Sequence, residues 1–105
     1  MDVIQLLDDD SLQLDTRSIN IIESLINTPL VQDNIYTTVI DGYLIEKYRG
    51  NFYGLLHNEL NVLNNSYYIN LRVNGLKSPL DYNGFMEIKL VKQDVVLKIL
   101  ETIRE

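Results

Sequence analysis

The spacing of apolar residues changes several times along the chain, and each change marks a new element. Val3, Ile4, Leu6 and Leu7 form a short apolar patch, a strand or an arm, ahead of an acidic run. Over residues 16–27, Ile19, Ile22, Leu25 and Ile26 recur at steps of three and four. That is the period of one helix face, although isoleucines, stiff at Cβ, also leave a strand open. Pro29 ends either element. After the turn signal Asp33-Asn34, residues 35–40 combine β-branched and aromatic side chains and read as a strand, with Asp41-Gly42 as a tight turn. Residues 43–48 read as a further strand, closed by Gly50-Asn51.

The second half is more regular. Phe52, Leu55, Leu56, Leu60 and Leu63 share a helical face, and the Asn51 side chain can accept a bond from a first-turn amide. Asn64, Asn65 and Ser66 interrupt that helix and can cap another. Its stripe is Tyr68, Ile69, Arg72 and Val73, stopped by Asn74-Gly75, where Gly75 suits a left-handed C-terminal position. Pro79 confirms the stop. Beyond the turn Asn83-Gly84, Met86, Ile88 and Leu90 alternate with Glu87 and Lys89, the pattern of a strand with one buried face. Asp94 can cap a last helix with the apolar stripe Val95, Val96, Ile99, Leu100 and Ile103.

Composition narrows the function classes. A chain of 105 residues, 46% hydrophobic and 23% charged, is one small domain. Nine basic against fifteen acidic residues give a net charge of −6, which argues against nucleic-acid binding, since phosphates need a basic surface. With no Cys there is no disulfide framework or thiol nucleophile, and a single His makes no zinc cluster. No apolar run approaches the roughly 18 residues of a membrane span, and the acidic start does not read as a signal peptide. The chain is expected to act inside its producing cell or to leave it as part of an assembly.

The charge is unevenly placed. Residues 1–42 hold eight acids and one base, net −7, whereas residues 43–105 are net +1. Such a head is either a solvated surface or an arm that docks on a basic neighbour. Asp8, Asp9 and Asp10 are candidate docking residues; their consecutive spacing lacks the alternation and turn Gly of a calcium loop.

The stretch Tyr43-Leu44-Ile45-Glu46-Lys47-Tyr48-Arg49-Gly50-Asn51-Phe52-Tyr53-Gly54-Leu55-Leu56 resembles the first strand, Gly-containing loop and first helix of a LysM domain. Tyr67-Tyr68-Ile69-Asn70-Leu71-Arg72-Val73-Asn74-Gly75-Leu76-Lys77-Ser78-Pro79-Leu80-Asp81 resembles the second helix and loop of LysM-like proteins in the baseplate wedges of contractile-tailed phages. Tyr82-Asn83-Gly84-Phe85-Met86-Glu87-Ile88-Lys89-Leu90 is similar to their last turn and strand. Departures are Asn51 and Phe52 in place of an acid and a hydroxyl, no Tyr-Gly at the end of the first helix, and Val91 in place of a closing Pro. The resemblance implies an α+β fold: a LysM-like βααβ core over 43–91, an acidic N-terminal extension over 1–42, and a C-terminal amphipathic helix over 92–105. It also implies a glycan groove formed by Gly50, Asn51, Phe52 and Tyr53 facing Asn74, Gly75, Leu76 and Lys77, unless Phe52 is core and the glycines and Asn74 are backbone punctuation.

Catalytic chemistry is not legible. Glu46, Glu59, Glu87 and Glu101 alternate with apolar residues or fall on outer helical faces, and no pair is set across a cleft as a glycosidase requires. His57 beside Asn58 and Glu59 reads as a surface or partly packed histidine rather than a general base. The serines sit in no nucleophile motif, and there is no Gly-rich phosphate loop. The Tyr residues at 48, 53, 67, 68 and 82 suit either an interface or a small core that wants bulk with a polar tip. The expectation is therefore a non-enzyme without cofactor or metal: a structural component of a phage tail or baseplate. It would be made in the host cytoplasm and carried in the virion, docking on other tail subunits or on copies of itself, with no nucleic-acid or membrane partner. Val96, Ile99, Leu100 and Ile103 would bury within the chain or against a partner. The alternatives are a peptidoglycan- or chitin-type glycan-binding module and a small acidic inhibitor of a basic protein.

Overall fold

The computed structural model describes residues 15–104. The Val3–Leu7 patch and the acids Asp8, Asp9 and Asp10 lie outside them. The three-and-four spacing near the start is realised as α1, Thr16–Ile26, with Ile22 and Ile26 buried on one face. Asp15 caps it by accepting a 2.7 Å bond from the Ser18 amide, one of the donors a helix start leaves without an internal partner. Pro29 stands beyond the end of α1 and opens α2, Pro29–Gln32, at a first-turn position where its missing N–H is not needed.

Two strands follow at long separation: β1, Ile35–Val39, and β2, Glu87–Val91. They pair antiparallel, Ile35 opposite Val91 and Val39 opposite Glu87. Between them come α3, Gly42–Tyr48, and α4, Phe52–Asn58. A 3₁₀ turn, Asn64–Ser66, then runs into α5, Tyr67–Val73, and a second 3₁₀ turn occupies Pro79–Asp81. The last helix is α6, Gln93–Arg104; it starts one residue before Asp94, whose carboxylate sits in the first turn, where the helix dipole favours it. The described residues thus form an α+β domain of six helices and one two-stranded sheet.

The strand expected over 43–48 is the helix α3. Leu44 and Tyr48, four apart, are buried, and Ile45 packs beside them. A strand would have carried Glu46 to the same face as Leu44 and Tyr48; the helix leaves it outside, 2.8 Å from Arg49. The strand that pairs with β2 is instead the one at Ile35–Val39. The order is strand, three helices, strand, and the ladder spans residue 42. Residues of the expected N-terminal extension are therefore built into the fold, with Ile22, Ile26 and Val31 in its core.

The sheet lies between two apolar cores. Ile88 and Leu90 project into one, with Leu44, Tyr48, Phe52, Leu55, Leu56, Leu71 and Tyr82 from α3, α4, α5 and the loop before β2. Val91 and Ile35 project to the opposite side, where α1, α2 and α6 supply Ile22, Ile26, Val31, Val96 and Ile99. β2 thus buries residues on both faces rather than one, and Met86, expected to share the face of Ile88, is largely exposed. Helix α5 serves both cores, with Leu71 in the first and Ile69 in the second.

Candidate functional site

Backbone groups in an antiparallel pair point alternately toward the partner strand and away from it. Ile40 donates to the Met86 carbonyl at 3.1 Å and Lys92 to the Asn34 carbonyl at 3.0 Å, bracketing the ladder. The even-numbered residues therefore bond within the sheet. Ile35, Thr37 and Val39 of β1, and Lys89 and Val91 of β2, turn their N–H and C=O groups outward.

The outward edge of β2 is closed by side chains. Asn70 Oδ1 accepts from the Val91 amide at 2.8 Å. Asn74 Oδ1 accepts from the Lys89 amide at 2.8 Å, while its Nδ2 donates back to the Lys89 carbonyl at 2.8 Å. The match is geometric: four residues of helix rise about 6 Å, close to the roughly 6.7 Å between residues two apart in a strand. An i, i+4 pair of Asn on α5 therefore meets alternate residues of β2. Asn70 is fully buried and is satisfied on its other side by the Ser66 carbonyl at 2.9 Å.

The outward edge of β1 is open: no described residue bonds to the outward groups of Ile35, Thr37 or Val39. Two large side chains on this strand are exposed, Tyr36 at 49% and Val39 at 64%, and they project to opposite faces. Beside Tyr36 opens a cavity of about 300 Å³, walled by Leu60, Val62, Leu63 and Leu90, with Asn61 and Gln93 as polar groups. Asn61 shapes its rim. Its φ of 56° is left-handed, which Asn tolerates, and it folds the chain so that the Val62 amide reaches the Leu56 carbonyl at 3.0 Å. Leu63 stays more than half exposed at the entrance.

The residues carried over from the LysM groove have other tasks. Phe52 is fully buried, and it and Leu76 belong to the first core. Gly50, at φ 75°, donates its amide to the Tyr82 carbonyl, and Asn51 caps α4 through the Gly54 amide, as the sequence implied. Asn74 is engaged on β2, and Gly75 adopts the expected left-handed turn at φ 79°. Lys77 is exposed. Tyr53 stacks at 5.1 Å from Tyr67, and burial pushes its phenol up to about 12.

The same holds for the other tyrosines near these loops. Tyr48, Tyr67 and Tyr82 are buried, with hydroxyls bonded to Glu59, His57 and the Phe85 carbonyl respectively. Tyr68 donates to Glu23, which also pairs with Arg72 at 2.7 Å and ties α1 to α5. The Arg72 guanidinium holds the Glu23 carboxyl below its ordinary range. These side chains supply bulk with a polar tip. The exposed tyrosines are Tyr36 and Tyr43.

Val96 and Ile99 bury within the chain against α1, and Leu100 and Ile103 pack on that core. The open edge and its cavity were not legible as a site. The signal available was Asn70, a polar residue between Ile69 and Leu71 in an apolar helix, four before Asn74. Among the described residues no His, Asp and Glu group is arranged to hold a metal, and no helix is long and apolar enough to cross a membrane. Comparison with protein-family models, curated proteins and solved structures finds no match to this chain.

Proposed function

We propose that this chain is a non-catalytic docking subunit of a larger protein assembly, binding its neighbours through the open edge of β1 and the cavity beside Tyr36. The observation that carries this reading is the asymmetry of the sheet: the same fold that closes β2 with two asparagines leaves three consecutive outward positions of β1 without a partner among the described residues, with Tyr36 and Val39 exposed around them. Unpaired strand edges accept strands, and exposed aromatic and β-branched residues add the apolar area that holds them. In its finer form the assembly is the tail or baseplate of a contractile phage. What supports that form is the resemblance over Tyr67–Asp81 and Tyr82–Leu90; the helical residues 43–48 lend it nothing.

Sedimentation of a native extract tests the reading. The chain, 12.2 kDa alone, is expected in particles many times heavier, and a Val39→Lys variant is expected to shift toward the light fractions. Recovery of the unaltered chain in the light fractions alone would overturn it.

A further inference from the structure

We infer that the β1 edge takes the β1 edge of a second copy of this chain, giving a two-fold dimer with a continuous four-stranded antiparallel sheet in the order β2, β1, β1, β2. The inference rests on the docking reading and names its partner.

The strand Ile35-Tyr36-Thr37-Thr38-Val39 complements itself. An axis through Thr37 sets Thr37 against its own copy and Ile35 against Val39 of the second copy. These are the positions whose N–H and C=O groups point outward, so the one register satisfies every open group on both edges. Centred on Tyr36 or Thr38 instead, the pairing leaves outward groups of the strand without a strand partner. Side chains match as well. Exposed Val39 covers half-buried Ile35 on one face, and Tyr36 lies beside Thr38 of the second copy on the other.

Charge favours a second copy over a foreign charged strand. The chain is strongly acidic, yet these five residues carry no charge, and no Lys, Pro or bulge interrupts their five consecutive pairings with β2. Those are the devices that normally keep edges from pairing with themselves. The flanking Asp33 and Asp41 fall opposite each other beyond the last bonds of the new ladder, so salt strengthens the dimer by screening them. A basic foreign strand would show the reverse. Growth stops at two copies, because the far edge of each β2 is occupied by Asn70 and Asn74.

Sedimentation equilibrium of the full chain from micromolar to millimolar concentration, at low and high salt, is the test. A two-fold mass that gains population with salt is expected, with hydrogen exchange of the Thr37 and Val39 amides slowing as the dimer forms. Val39→Lys and Thr37→Pro are expected to weaken the dimer by about tenfold or more, while at concentrations low enough for both to be monomeric the thermal melt of Val39→Lys stays that of the unaltered chain. A monomer throughout the range overturns the inference and leaves the docking reading to its own experiment. So does a dimer that survives both substitutions, or protection of both amides in the monomer, which would assign the edge to another part of the chain.

Discussion

The two edges of one small sheet are treated in opposite ways. On β2, the outward Val91 amide meets Asn70 of α5, and both outward groups of Lys89 meet Asn74 at its C-cap; on β1, the outward groups at Ile35, Thr37 and Val39 meet nothing described. The closed edge is buried at Val91, where an unpaired amide cannot find water and the Asn70 side chain must supply the bond, and it runs out to the surface at Lys89. The open edge lies at the surface, where water satisfies it until a strand arrives. Burial makes the Asn70 bond obligatory at Val91, whereas the Asn74 bonds close the edge at an exposed position.

Substitutions that strip the closed edge have the largest expected effect. Asn70→Leu keeps approximate volume but leaves the buried Val91 amide without its acceptor and frees the Ser66 carbonyl. Urea denaturation is expected to show a loss of about 2–4 kcal/mol, from unsatisfied groups costing about 1–3 kcal/mol each. Next comes a pair of proline scans within β1. Thr38→Pro removes an inward ladder bond and should cost about 2–3 kcal/mol. Thr37→Pro removes an outward N–H and should cost the isolated fold less than about 1 kcal/mol. Equal losses at the two positions would break the contrast between inward and outward groups.

Asn74→Ala sharpens the comparison further. It removes both bonds to Lys89 at a half-buried site and is expected to cost about 1 kcal/mol. Faster hydrogen exchange at Lys89 than at Val91 should accompany it. The smallest expected effect lies on the tie between α1 and α5. The Glu23 carboxyl titrates below its ordinary 4.5, chiefly because Arg72 bonds its charged form. Its contribution is present above pH 4.5 and is lost as pH falls through the lower folded value. The carboxylate is more than a third exposed, so the contribution is less than about 1 kcal/mol. Glu23→Gln should lower the neutral plateau by that amount and so flatten the acid limb of stability against pH, leaving stability at the acid end unchanged.

Periodicity carried much of the fold. Helices over Phe52–Asn58, Tyr67–Val73 and Gln93–Arg104, strands at Ile35–Val39 and Glu87–Val91, the Asn51 cap and the left-handed Gly75 follow from local spacing and turn chemistry, whereas Thr16–Ile26 was left between helix and strand by its isoleucines. Residues 43–48 did not. Tyr-Leu-Ile-Glu-Lys-Tyr is rich in strand formers, and only packing that buries Leu44 and Tyr48 with Ile45 beside them and Glu46 outside selects the helix. Of the residues carried over by the resemblance, Phe52 is core and Gly50 and Asn51 serve a turn and a cap, the alternative the sequence had left open.

The sequence by itself determined that the chain builds an α+β domain and where several helices, strands and turns lie, because those properties depend on side-chain period and backbone sterics within a few residues. Which strands pair, which edge is buried, and what the tyrosines and asparagines do were decided by tertiary structure alone. Each of those depends on the free energy of leaving a polar group dry or wet, and only the packing of distant segments sets where water can reach.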